Sequence, residues 1–290
     1  MGVAPERPPS LDRGSSKLVP ESVIVFDWDD TLFPTTELLL DMLDNKVSIY
    51  EPLEQQCSPD HLSLRRRFTE CADTLEQLLR VADSCGKVLI VTLTSVSYMT
   101  LLKDTFLPQI GRLFEELGVE IVFAMHAAGA REVGAHKVMH SDEVLFWGAA
   151  KRDAVAGALS RHYAKSGRRV LRSVVSVGDS DHDRLGARSG TQKFAEAEGH
   201  PQEVCVKTLT LIHQPRAADV LFELRTLRRW LPLMVDFEET FDIEVTKIWD
   251  MTKPQVFERR HGAVPITQRT SQYVALLGMF QDWLCEVMNA

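Results

Sequence analysis

Short apolar runs alternate along this chain with longer stretches whose apolar residues recur at helical spacing. Ser22-Val-Ile-Val-Phe26 is the first run. It has no polar interruption and ends in acidic residues, which predicts a buried strand. Val88-Leu-Ile-Val91, Val119-Glu-Ile-Val-Phe123, Arg172-Ser-Val-Val-Ser-Val177 and residues 204–211 read the same way, giving about five strands. Residues 37–44 predict a short helix. Residues 61–84 predict a longer one, with Leu64, Phe68, Leu75, Leu78, Leu79 and Ala82 spaced for one face and Gly86 as its stop. Further helices are expected over 97–117, broken at Pro108, over about 146–165, and over 217–230. Residues 126–143, rich in His, Ala and Gly, read as a loop. Strands alternating with helices predict an α/β fold: a Rossmann-like parallel sheet with helices on both faces. Such sheets bind ligands at the carboxyl ends of their strands, near the point where strand order reverses.

The pattern changes at both ends. Residues 1–20, rich in Pro and Ser, read as a disordered tail, and residues 21–231 as the α/β domain. Residues 232–290 form a C-terminal extension. Partial alternation at Phe241, Ile243 and Val245 predicts one strand there, 254–269 read as irregular, and residues 271–288 carry a helical stripe from Tyr273 to Val287 that suits docking on the body.

Composition adds bounds. The chain has 290 residues, 44% hydrophobic and 26% charged, with a formal net charge of −8. That balance suits a globular protein and argues against general binding to nucleic acid or to an anionic membrane. No run of about 18 uncharged apolar residues marks a transmembrane helix. The N-terminus lacks the apolar core of a secretory signal. Five scattered cysteines without a Cys-x-x-Cys pair fit reduced thiols and a cytoplasmic protein.

Three predicted strand ends carry polar residues that strand formation does not require: Asp27-Trp28-Asp29-Asp30, Thr92, and Gly178-Asp179-Ser-Asp-His-Asp183. Carboxylates gathered in this way repel one another unless a cation joins them. The first segment, Val23-Ile-Val-Phe-Asp27-Trp-Asp29-Asp30-Thr31-Leu32, resembles the first motif of the haloacid dehalogenase superfamily. The other three motifs have counterparts in the same order: Val88-Leu-Ile-Val-Thr92, Lys151-Arg-Asp-Ala-Val, and Gly178-Asp179 with Asp183.

The resemblance implies a magnesium-dependent phosphatase. Asp27 would attack phosphorus to form an aspartyl-phosphate, and Asp29 would serve as general acid and base. Thr92 would donate a hydrogen bond to a phosphoryl oxygen, and Lys151 would neutralise charge on nucleophile and phosphate. Mg²⁺ would be held by the Asp27 carboxylate, the Asp29 carbonyl and Asp179, with Asp183 direct or through water. Asp29 narrows the chemistry to phosphate esters or phosphoryl transfer, because relatives acting on carbon–halogen or carbon–phosphorus bonds lack an acid there.

Alternatives remain open at several positions. Thr94 competes with Thr92, Lys137 with Lys151, and Asp181 with Asp183. Trp28 either lines the leaving-group side of the pocket or packs in the core. His182 reads as a solvent-facing spacer. Arg65-Arg66-Arg67 and the basic stretch 165–172 read as solvated faces. About 55 residues separate Leu32 from Val88, and a similar stretch separates Thr92 from Lys151. Neither gap holds a full α/β cap, although a small helical lid after Phe33-Pro34 fits. An open site suits a large phosphorylated substrate such as a phosphoprotein, with a small phosphate ester as the other choice. A phosphotransferase or mutase, and a non-catalytic binding protein that keeps the fold, are the competing functions. Substrate identity and oligomeric state are not legible in the residues.

Overall fold

In a computed structural model, the structure describes residues 21–44, 59–127, 140–165, 171–199, 204–247, 254–258 and 275–282. The expected tail at 1–20, Lys137, and most of the 126–143 loop lie outside the described residues.

The strands are β1 (Glu21–Phe26), β2 (Lys87–Thr92), β3 (Glu120–Phe123), β4 (Leu171–Gly178), β5 (Cys205–Thr210), β6 (Phe241–Lys247) and β7 (Pro254–Glu258). They form one sheet in the order β3-β2-β1-β4-β5-β6-β7. The first six run parallel, and β7 returns antiparallel to β6. The sheet is therefore the expected Rossmann-like one, with seven strands instead of about five. The sixth is the strand foreseen around Phe241–Val245. The seventh lies in a stretch that reads as irregular, because Pro254 removes a donor and such strands occur at sheet edges, where pairing is needed on one side only.

Alternation along the buried strands divides the core. Ile24 and Phe26 of β1 join one apolar cluster, with Val175 and Val177 of β4. Helices α2 (Pro59–Cys85), α3 (Val96–Phe106), α4 (Pro108–Glu116) and α8 (Ala217–Asp236) contribute to it. Val23 and Val25 face the other cluster, which is covered by α6 (His140–Lys165) and α7 (Asp181–Glu198). Phe280, in the helical stretch 275–282, stacks on Trp230 of α8 with ring centroids 4.3 Å apart. This is the docking expected of the C-terminal stripe.

Two differences bear on the site. α7 has no counterpart in the sequence reading, because its inward face is built from Gly186, Ala187 and Gly190 and shows no apolar stripe. A β-carbon on Gly186 would sit 2.5 Å from Lys151 Cβ, and one on Gly190 would sit 2.7 Å from the Arg152 carbonyl oxygen. The two glycines thus let α7 lie directly against α6. Second, α6 begins at His140, six residues before the expected start, so Lys151 lies well inside a long helix.

Between β1 and β2 the chain also forms α1 (Thr35–Leu43), and a single-turn α5 (Ala124–Ala127) follows β3.

Candidate active site

The strand order reverses between β1 and β4, since the chain builds outward from β1 to β3 on one side and from β4 to β6 on the other. Phe26 is in register with Val177, and the Asp27 N–H donates to the Val177 carbonyl at 2.9 Å. Asp27 therefore leaves β1 directly beside the end of β4, where Gly178 and Asp179 follow.

Gly178 decides how closely the two loops meet. A β-carbon there would lie 2.3 Å from Asp183 Cγ. Only glycine lets the first turn of α7 fold back onto the end of β4. Ser180 caps α7: its hydroxyl donates to Asp183 Oδ2 at 2.5 Å and its N–H donates to the same oxygen at 3.3 Å. Asp183 is thereby turned inward and buried, whereas the Asp181 side chain is 44% exposed. Of these two acids, Asp183 is the one in the cluster.

Asp27, Asp179 and Asp183 are all buried, and each offers a carboxylate oxygen within 4.8 Å of the others. Lys151, 3% exposed, reaches into this group from α6. Its ammonium lies 2.8 Å from Asp27 Oδ1 and also pairs with Asp183 Oδ1. Burial opposes the charge on Lys151, but Asp183 and Asp27 outweigh it and hold the ammonium above its usual range. Burial pushes Asp27 well up, and Asp183 adds to the push; Lys151 offsets part of it, while Asp29 and Asp179 raise it further. Asp179 is met by His213 Nδ1 at 3.2 Å, and that hydrogen bond raises the imidazole pKa.

This balance tests whether the residues suit a metal ion. Three buried carboxylates, with Asp29 a fourth nearby, face one buried ammonium and one largely exposed imidazole. The unmet negative charge and the all-oxygen donor set fit a hard divalent cation.

Asp29 is oriented by two hydroxyls. Thr35 Oγ1 donates to Oδ1 at 2.8 Å, and Thr92 Oγ1 donates to Oδ2 at 3.2 Å. Burial raises the Asp29 pKa against the lowering effect of Thr35, Lys151 and Thr92. Asp30 stands in the left-handed region at φ 54° and receives both the N–H and the hydroxyl of Thr36. Thr92 is fully buried at the strand end, and its oxygen accepts the Thr94 N–H at 2.9 Å, so Thr92 and not Thr94 faces the acids. Its hydroxyl proton is engaged by Asp29, where a phosphoryl oxygen was expected.

Trp28 is not at the site. It is 0% exposed and lies against Phe33 and Phe114, with centroids 6.0 Å away in each case. Successive side chains leaving β1 point to opposite sides, so with Asp27 at the site Trp28 enters the core. It packs in the core and does not line the leaving-group side of the pocket. His182, read as a spacer, is half-buried in the first turn of α7. Arg67, read as part of a solvated face, pairs with Glu37 of α1 at 2.7 Å.

Sequence reasoning missed Thr35, Thr36, Ser180, His213 and Tyr98. Tyr98, in the first turn of α3, brings a buried hydroxyl near the same acids; burial first, then Asp29 and Asp30, push its pKa up to about 12. His213 was findable, since it follows the carboxyl end of β5. Thr35-Thr36 signalled only a helix start.

No family model, curated protein or solved structure matches the chain.

Proposed function

We propose that this chain is a magnesium-dependent phosphohydrolase that works as the haloacid dehalogenase superfamily does. One observation carries the reading: acids from two separate strand ends converge, buried, on one buried lysine, at the point where strand order reverses. The four motifs that resemble the superfamily supply the groups in that cluster, and a structural role alone explains poorly why so much like charge is buried together.

In this reading Asp27, Asp179 and Asp183, with the Asp29 carbonyl, would hold Mg²⁺, which would supply positive charge to offset repulsion between the nucleophile and a phosphate dianion. The Asp27 carboxylate attacks phosphorus. The bond from phosphorus to the leaving oxygen breaks, and Asp29 gives that oxygen its proton. Asp29 then takes a proton from water as the water attacks the aspartyl-phosphate, which frees phosphate and restores Asp27. Lys151 neutralises charge on Asp27 throughout, and burial of the site strengthens that attraction. The substrate is a phosphate monoester, carried by a phosphoprotein or a small molecule. A cytoplasmic setting belongs to the same reading and rests on the free thiols Cys71, Cys85 and Cys205.

The test is turnover of a panel of phosphorylated compounds, from aryl phosphates to phosphopeptides, with and without Mg²⁺. Wild type is expected to release phosphate only with the cation, and Asp27→Asn to fall by about 10⁴-fold or more while staying folded. Folded wild type that turns over nothing in the panel, or an Asp27→Asn variant that keeps its rate, would end the proposal.

A further inference from the structure

Asp29 is held from two directions, and the two holds differ in kind. Thr35 is buried in the first turn of α1 and donates to Oδ1 at 2.8 Å. Its neighbour Thr36 gives Asp30 both its N–H and its hydroxyl. Together these bonds fasten the β1 loop to the start of α1. Thr92 is different: its longer 3.2 Å bond to Oδ2 reaches Asp29 from the end of a separate strand, β2.

Proton counting separates the two oxygens. A hydroxyl carries one proton, so Thr92 cannot donate to Asp29 and to a phosphoryl oxygen at once. A neutral carboxyl keeps one oxygen as a plain acceptor and carries its proton on the other. The Thr35 hydroxyl, fixed in the first turn of a helix, favours Oδ1 as that acceptor.

We infer that Thr35 is a positioning residue for the acid and base steps: it reserves Oδ1 as an acceptor and so assigns Oδ2 as the oxygen that exchanges protons with the leaving group and with water. The inference rests on the phosphohydrolase reading above. When Oδ2 carries the proton, Thr92 turns its own proton to a phosphoryl oxygen. As the phosphorus–oxygen bond breaks, the O–H of Oδ2 passes to the leaving oxygen and its electron pair stays on Asp29. In the second half the attacking water returns a proton to Oδ2 as its oxygen bonds to phosphorus and the bond from phosphorus to the Asp27 oxygen breaks. Without the Thr35 hydroxyl the carboxyl turns, and both transfers lose alignment.

Leaving groups report on this directly. A nitrophenolate departs without a proton, whereas an alkoxide needs one. General acid catalysis is worth about 10²- to 10⁴-fold. Thr35→Val keeps the shape of the side chain and removes the hydroxyl. It is expected to lower kcat/KM for an alkyl phosphate such as glycerol phosphate by about 10- to 100-fold, a misaligned acid losing part of that factor. For nitrophenyl phosphate kcat/KM should stay within about threefold, because it reports only steps up to departure of the phenolate. Its kcat should fall, and a burst of nitrophenolate should appear as hydrolysis of the aspartyl-phosphate slows. Thr35→Ser should recover the alkyl rate.

Equal losses of kcat/KM on both substrates, or a serine variant no better than valine, would overturn the inference and leave the phosphohydrolase reading intact. Absence of Asp27-dependent turnover in wild type would overturn both. Thermal unfolding confirms that each variant is folded, and Thr35→Ala enters the same comparison should the valine variant not fold.

Discussion

Among the described residues two lysines lie in the interior, and they are kept there by opposite means. Lys151 is 3% exposed and Lys207 is 0% exposed. Lys151 sits between Asp27 and Asp183, which keep it charged against the cost of burial. Lys207, on β5, donates to the Val235 carbonyl at 2.8 Å, in the last turn of α8, where helix carbonyls lack intrahelical partners. Burial lowers its pKa to about 8, and the weaker pull of Cys205, Asp236 and Glu238 does not reverse that. Burial by itself lowers a lysine's pKa. Holding it above its usual range inside a protein takes carboxylates, and carboxylates gathered as tightly as Asp27, Asp179 and Asp183 call for more positive charge than one ammonium provides. The contrast marks the strand-end cluster as more than a satisfied core.

The strongest way to break this comparison is to remove each ammonium in turn. Lys151→Met leaves Asp27 and Asp183 buried without their shared partner, and breaking a buried pair in this way costs about 3–5 kcal/mol. Lys207→Met removes one hydrogen bond to a carbonyl but also the cost of burying an ammonium, and should lose no more than about 1 kcal/mol. Urea unfolding midpoints at neutral pH without divalent cations measure both. Similar losses in the two variants would show that the charges around Lys151 are already satisfied without it.

A smaller effect sharpens the same point. A cation that binds the folded protein alone stabilises it by about 2.7 kcal/mol at a hundred times its dissociation constant. Mg²⁺ should therefore raise the unfolding temperature of wild type and of Lys207→Met alike, and should do so much less for Asp179→Asn. The same rise in all three would place the bound ion elsewhere.

The sequence made one side of the site legible and left the other hidden, for physical reasons. Asp27, Asp29, Thr92, Asp179 and Asp183 stand where apolar runs end, so period-two burial and the strand-end rule point to them together. Lys151 was legible through the order of motifs and falls inside the helix expected over about 146–165, but the start of α6 six residues earlier, at His140, was not legible. α7 was missed because helices seated through Gly186 and Gly190 leave no apolar stripe to read. Thr35 and Thr36 were missed because a threonine at a helix start has an ordinary local explanation, and nothing in local spacing shows that its hydroxyl turns back to an acid six residues earlier. Trp28 misled in the opposite way: it lies between two site residues in sequence but points into the core.

The smallest expected effect concerns Lys207 alone and depends on pH. Its ordinary pKa is 10.5, and its value in the folded chain is about 8. Below about pH 8 the lysine is charged in both states, and the folded state carries the cost of a buried ammonium. Between the two values the folded chain has released the proton and the unfolded chain still holds it. The unfolded state then binds more protons, so this group makes stability rise with pH across that window. Other groups titrate there too, so the informative quantity is wild type minus Lys207→Met, taken from urea unfolding at several pH values between 7.5 and 10. That difference should shift steadily in favour of wild type as pH rises. A constant difference would mean that Lys207 stays charged in the folded protein across this range, and that its burial against the Val235 carbonyl, without a carboxylate in contact, is enough to hold an ammonium. The contrast with Lys151 would then no longer separate a functional charge cluster from an ordinary buried lysine.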